Sequence, residues 1–79
     1  MTTFVIIRNT DKRHLCKDGK LRHMPLFGST GACTKVYTKA GHANRRAVTL
    51  QRRGNDVSVL TIPEKHTFNL HGQVIKLNY

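Results

Sequence analysis

The sequence predicts an α+β fold: a small antiparallel sheet, made of a meander plus C-terminal strands, with one packed helix, in the order β-β-β-α-β followed by a closing hairpin. Three features predict it. Residues 3–8 (TFVIIR) are β-branched, aromatic and almost continuously apolar, which reads as a strand. Asp18-Gly19 lies between two short polar–apolar segments and is the strongest short hairpin signal in the chain. Residues 38–54 (TKAGHANRRAVTLQRRG) sort into two faces when advanced by about 100° per residue. Ala40, Ala43, Ala47 and Leu50 gather on one side, and His42, Arg45, Arg46, Thr49, Arg52 and Arg53 on the other.

The elements follow in chain order. The run at residues 3–8 lacks polar alternation, so it belongs at the centre of the sheet. Residues 9–13 (NTDKR) are turn formers and read as a loop. Residues 14–17 (HLCK) and 20–23 (KLRH) then form the second and third strands around Asp18-Gly19. Residues 24–32 (MPLFGSTGA) carry Pro25, Gly28 and Gly31 and read as a loop whose Met24, Leu26 and Phe27 fold back on the core. A brief extended piece, residues 35–37, leads into the helix. Thr38 is read as the N-cap and Gly54 as the C-terminal stop. Residues 56–62 (DVSVLTI) alternate, with Val57, Val59 and Thr61 on one face and Ser58, Leu60 and Ile62 on the other. Pro63 ends that strand or marks it as an edge. Residues 67–70 and 73–77 close the chain as a hairpin around His71-Gly72.

At 79 residues the chain is read as one domain with a modest core, and two layers, a sheet and a helix, suit it. Hydrophobic residues make up 38% of it, enough for a core rather than disorder. The charge is lopsided: 14 Lys plus Arg stand against Asp11, Asp18, Asp56 and Glu64, for a formal net charge of +10. Most cations therefore face water or an anionic partner. The apolar run at Phe4–Ile7 is too short for a secretory signal, and no run reaches membrane-spanning length, so the expected location is the cytoplasm. Cys16 and Cys33 are too few for a disulfide framework and read as small, partly buried thiols.

The catalytic and cofactor classes find little to stand on. Structural zinc sites use closely spaced ligand pairs, and His14, Cys16, His23, Cys33, His42, His66 and His71 do not provide them; no metal or other cofactor is expected. His14 and Cys16 share a strand face, but two-apart side chains are not placed to exchange a proton. The loop GSTGA lacks the lysine of a phosphate-binding loop. Four scattered acids offer no carboxylate pair, and the chain reads as a binding protein rather than an enzyme.

Nucleic-acid binding fits better, because phosphates need arrayed cations. The candidate surface is His42, Arg45, Arg46, Arg52 and Arg53 on the helix, joined by Arg13, Lys17, Lys20 and Arg22 on the meander, with Arg8 and Lys12 beside them. Tyr37 and Tyr79 are the aromatics left for stacking, since Phe4, Phe27 and Phe68 read as core. Sequence-tolerant contact with DNA or RNA backbones is the leading expectation. The alternative is an inhibitor or modulator that docks these cations on an acidic protein surface, anchored by Met24, Leu26 and Phe27. A membrane-surface role is weaker, because an alanine stripe inserts poorly into lipid.

The segments FVIIRNTDKRHLCKDGK and VYTKAGHANRRA combine an apolar strand, a polar turn, a short strand, a D-G turn and a strand entering a capped basic helix. In that order they resemble short accessory proteins encoded by bacteriophages. The resemblance covers residues 3–47, and the terminal hairpin departs from it. It implies a protein made early in infection or against host defence, acting in the host cytoplasm by binding nucleic acid, a host polymerase or a defence nuclease, in an anti-CRISPR-like manner. It carries over no site residue.

Overall fold

The strand β1 (Thr3–Arg8) is apolar on both sides because both of its sides are covered. The computed structural model describes residues 1–22, 34–69 and 71–77. Around β1 it places β2 (His14–Leu15), β3 (Leu21–Arg22), α1 (Ala40–Arg52), β4 (Val57–Ile62), β5 (His66–Phe68) and β6 (Val74–Lys76). The four-stranded sheet runs β3-β2-β1-β4, and β5-β6 form a separate two-stranded sheet. The fold is α+β, in the order read from the sequence. Residues 23–33, with His23, the 24–32 loop and Cys33, lie outside the described residues, as do Leu70 and Tyr79.

Pairing of β1 with β4 is continuous and antiparallel, from Thr3 opposite Ile62 to Arg8 opposite Val57. Alternation along the two strands then builds two apolar clusters. Ile6, Leu15 and Val57 meet Ala47 and Leu50 of α1, with Leu21, Tyr37 and Val59 around them. Val5, Ile7 and Ile62 meet Phe68 of β5 on the opposite side, with Leu60 against them. The expected two layers are thus three: helix, sheet and hairpin. The cause lies just after β4. Pro63 ends the strand, and Lys65 takes a left-handed conformation (φ 61°) in the turn that follows. The chain is carried over the sheet rather than beside it. At the hairpin tip, Gly72 (φ 75°) lies so close to Ile7 that a Cβ there would come within 2.9 Å of the isoleucine Cδ1.

A hairpin forms at Asp18-Gly19, but one residue out of the expected register: Leu15 pairs with Leu21 and His14 with Arg22, so Lys17 joins Asp18 and Gly19 in a three-residue loop. Gly19 takes φ 83°, its amide donates to the Cys16 carbonyl (3.0 Å), and the Cys16 amide donates to the Lys20 carbonyl (2.9 Å). The strand β2 is shorter than read, because Lys17 belongs to the turn and Cys16 pairs with Thr34 instead. Residues 34–37 lie in the gap between β1 and β2: the Lys35 amide donates to the Leu15 carbonyl (3.0 Å), and Tyr37 and Phe4 exchange two backbone bonds of 2.8 Å.

That clamp on Tyr37 explains a correction at the helix start. The N-cap is Lys39, in extended conformation, with no side-chain cap, and Thr38 stays in the linker. Ala40 is exposed, so the buried stripe is Ala43, Ala47 and Leu50; Ala40 sits in the first turn, about 60° off the stripe's centre. The C-terminus ends as read: Gly54 takes φ 90°, and the amides of Arg53 and Gly54 return to Leu50 and Gln51. The Gln51 side-chain amide donates to the Val57 carbonyl (3.0 Å), which ties the last helical turn to β4.

His14 is 1% exposed, edge-on to Phe68 with ring centroids 5.7 Å apart. Its Nδ1 has no hydrogen-bond partner among the described residues. Burial pushes its pKa below the ordinary 6.5. The unfolded chain therefore takes up this proton first as pH falls, so the His14 contribution is intact above about pH 6.5 and is lost below it. Melting temperature is expected to drop between pH 7 and pH 5, and His14→Leu to flatten that drop; an equal slope in the variant refutes the assignment. In a second test, Ala43→Lys forces an ammonium into the helix–sheet contact, and the melting temperature is expected to fall by about 10 °C or more. An unchanged thermal melt contradicts the helix orientation.

Candidate functional site

Burial of Ala43, Ala47 and Leu50 turns the rest of α1 outward. Two cationic strips result from the 3.6-residue repeat. Arg45 and Arg52, seven residues apart, line the crest, where they border a shallow hollow with Asn44, Val48 and Thr49. His42, Arg46 and Arg53 fall on the flank nearer the sheet. His42, Arg45, Arg52 and Arg53 are exposed, while Arg46 is half-buried. Thr49 donates its hydroxyl to the Arg45 carbonyl (3.1 Å), so its proton is already committed.

None of these five helix cations has a carboxylate partner among the described residues, because the acids are engaged elsewhere. Asp11 sits between Arg8 and Arg13. The hydrogen bond from Arg8 is the main reason its carboxyl is held far below the usual carboxylate range. Asp18 accepts from Arg22 Nη2 (2.6 Å) and from the Lys20 amide (3.0 Å), and both bonds lower its pKa, Arg22 most. Glu64 pairs with the terminal amine of Met1 (3.5 Å), and Asp56 accepts from the Asn9 side chain (3.1 Å).

The meander cations therefore divide. Arg13 and Arg22 are tied to Asp11 and Asp18, which cancels part of their field. Arg8 is occupied by Asp11 and also reaches Asn55 Oδ1 (3.4 Å). Lys17 and Lys20 stand exposed on either side of Asp18-Gly19. The helix and the meander meet at Arg46, whose Nη2 would lie 3.6 Å from a Cβ placed on Gly19.

Two contributors escape sequence reading. Lys35 holds its ammonium 5.3 Å from the Tyr37 ring centroid, where the ring's negative face attracts it. Its signal was a cation two residues before an aromatic on an extended segment. Val48 is 43% exposed amid the crest arginines, visible only as an apolar residue at the wrong helical angle. Met24, Leu26, Phe27 and Tyr79 lie outside the described residues.

His14 and Cys16 correct an expectation. The thiol sulfur lies 3.5 Å from His14 Nε2, within reach of a hydrogen bond. Both side chains are buried, at 1% and 2% exposure, so the pair faces the interior rather than a substrate. Among the described residues no three His, Cys, Asp or Glu side chains converge as metal ligands, and no helix is long and apolar enough to cross a membrane. No protein-family model, curated protein or solved structure matches this chain.

Proposed function

We propose that the chain binds nucleic acid, chiefly through phosphate contacts made by the outward face of α1. One observation carries this reading: Arg45, Arg46 and Arg52 of α1, with Arg53 at its C-cap, lie away from the buried stripe and have no carboxylate partner among the described residues. A face that serves solubility alone mixes charge signs; this one does not. Arg52 in the last turn also suits the helix dipole. A helix with its side chains is about as wide as the DNA major groove, and guanidinium forks match phosphate oxygens. Among the described residues few aromatics are exposed to stack on bases, so backbone contact with little sequence preference is the form of binding proposed. Lys17 and Lys20 extend the surface; Arg13 and Arg22 contribute less, since carboxylates already hold them.

A second reading is docking on an acidic protein surface, as a phage-type inhibitor of a polymerase or defence nuclease does. Val48 favours it, because it exposes an apolar side chain between Arg45 and Arg52 in a shallow hollow, and phosphate contact alone has no use for an apolar group there. A purified chain that ignores oligonucleotides at low salt, yet keeps a protein partner from nuclease-treated lysate, selects this reading over the first.

Binding to duplex DNA is expected to weaken steeply with salt. Four phosphate contacts correspond to a slope of roughly −3 to −4 in log K against log salt. A flat salt profile, or no binding at low salt, contradicts the proposal. Arg45→Glu with Arg52→Glu is expected to cut affinity by about a hundredfold or more while circular dichroism and the thermal melt stay unchanged. Retained affinity, or an unfolded double variant, contradicts the assigned surface.

A further inference from the structure

A cleft opens where the β2–β3 turn, residues 34–37 and α1 come together. Leu15 and Cys16, both buried, close its base, and Lys17, Gly19, Lys35, Tyr37 and Arg46 line it. Each element brings a cation: Lys17 from the turn, Lys35 from the extended segment, Arg46 from the helix. Among the described residues no carboxylate lines it. The nearest acid in sequence, Asp18, directs its oxygens to Arg22 and the Lys20 amide and so leaves the cleft's charge intact.

We propose that this cleft seats a single phosphate group of a nucleic-acid strand or nucleotide, held by Lys17, Lys35 and Arg46, with the Tyr37 hydroxyl as an additional donor. The inference deepens the nucleic-acid reading and rests on it for the nature of the ligand.

Three kinds of observation support it. The first is convergence: cations from three separate elements repel one another at close range unless an anion joins them. The second is size. At about 250 Å³ the cleft falls below the roughly 300–1,000 Å³ of pockets that enclose a drug-sized ligand. It accommodates one small anionic group and leaves the remainder of the ligand outside. The third is donor chemistry. Burial raises the pKa of Tyr37, and the charge of Arg46 acts on the same hydroxyl in the opposite sense. The phenol therefore keeps its proton and can donate it, next to a guanidinium that offers a fork. Lys35 also lines the cleft, with its ammonium held 5.3 Å from the Tyr37 ring centroid. Gly19 leaves its side of the cleft open, since it carries no side chain to fill the space before Arg46 Nη2.

The experiment measures affinity for short oligothymidylate, with and without a 5′-phosphate, and for thymidine 5′-monophosphate. The proteins are the wild type, Arg46→Gln, Lys35→Gln, Tyr37→Phe and Lys76→Gln. The last removes an exposed cation from β6, far from the cleft in the topology, as an equal-charge control. Arg46→Gln and Lys35→Gln are each expected to lose about tenfold in affinity. Tyr37→Phe, which keeps the ring and so tests the hydroxyl without disturbing packing, is expected to lose a few-fold. Lys76→Gln is expected to change little. Tighter binding of the 5′-phosphorylated strand assigns the cleft to strand ends; equal binding with the same losses assigns it to internal phosphates.

If the oligonucleotide binds but the cleft variants lose no more than Lys76→Gln, the cleft is refuted while the nucleic-acid reading stands. If the monophosphate binds in a cleft-dependent way and no oligonucleotide does, the cleft stands and the nucleic-acid reading fails. If neither ligand binds, both are refuted.

Discussion

A central strand with two greasy faces has to be covered twice. In β1, Ile6 points to one side while Val5 and Ile7 point to the other, and all three are almost fully buried. The helix covers the first side and the C-terminal hairpin the second. Neither cover is dispensable in a domain this small, where the hydrophobic surplus over chain entropy is only a few kcal/mol. Covering the first side with Ala43, Ala47 and Leu50 also settles which way the rest of α1 points. The small size of the two alanines lets the helix approach the sheet closely, and its long basic side chains are left to solvent. Packing and charge display are consequences of the same geometry.

Electrostatics reinforces the division. Asp11 and Asp18 are placed in turns, where they accept from backbone amides as well as from arginines. Each organises its own loop, and each quenches a neighbouring cation of the meander. Neither reaches the helix. The positive field of α1 therefore survives folding while that of Arg8, Arg13 and Arg22 is partly cancelled. A uniform count of basic residues misses this, because it treats a paired arginine and an unpaired one alike. Ion pairs as exposed as these add little stability, so their main effect here is on the shape of the field.

Local patterns carried most of the fold. The extent of β1, the Asp18-Gly19 turn, the two faces of β4 and the Gly54 stop all follow from residues close together in sequence. What was not legible depended on distant parts of the chain. Thr38 has the chemistry of an N-cap, but Tyr37 is clamped to Phe4 and the helix begins one residue later than that chemistry suggests. The hairpin has strand propensity, but nothing in it announces that it lies across the sheet instead of extending it. The unbroken apolarity of β1 was the available hint, since a strand open on one side alternates. On the candidate site, the outward arginines were readable from helical spacing. The pairing of Arg13 and Arg22 leaves a local trace as well, since Asp11 and Asp18 stand only two and four residues away. Lys35 was hidden because its role arises only when residues 34–37 settle against β1 and β2.

The most direct test of the central claim is to follow the arginine side-chain Nε–Hε signals by NMR while a short duplex is added at low salt. Arg45, Arg46, Arg52 and Arg53 are expected to shift and slow in exchange, while Arg8, engaged with Asp11, stays near its free position. Signals that move first on the loops of Arg8 and Arg13, or on the β5–β6 hairpin, with the helix arginines unmoved, contradict that claim.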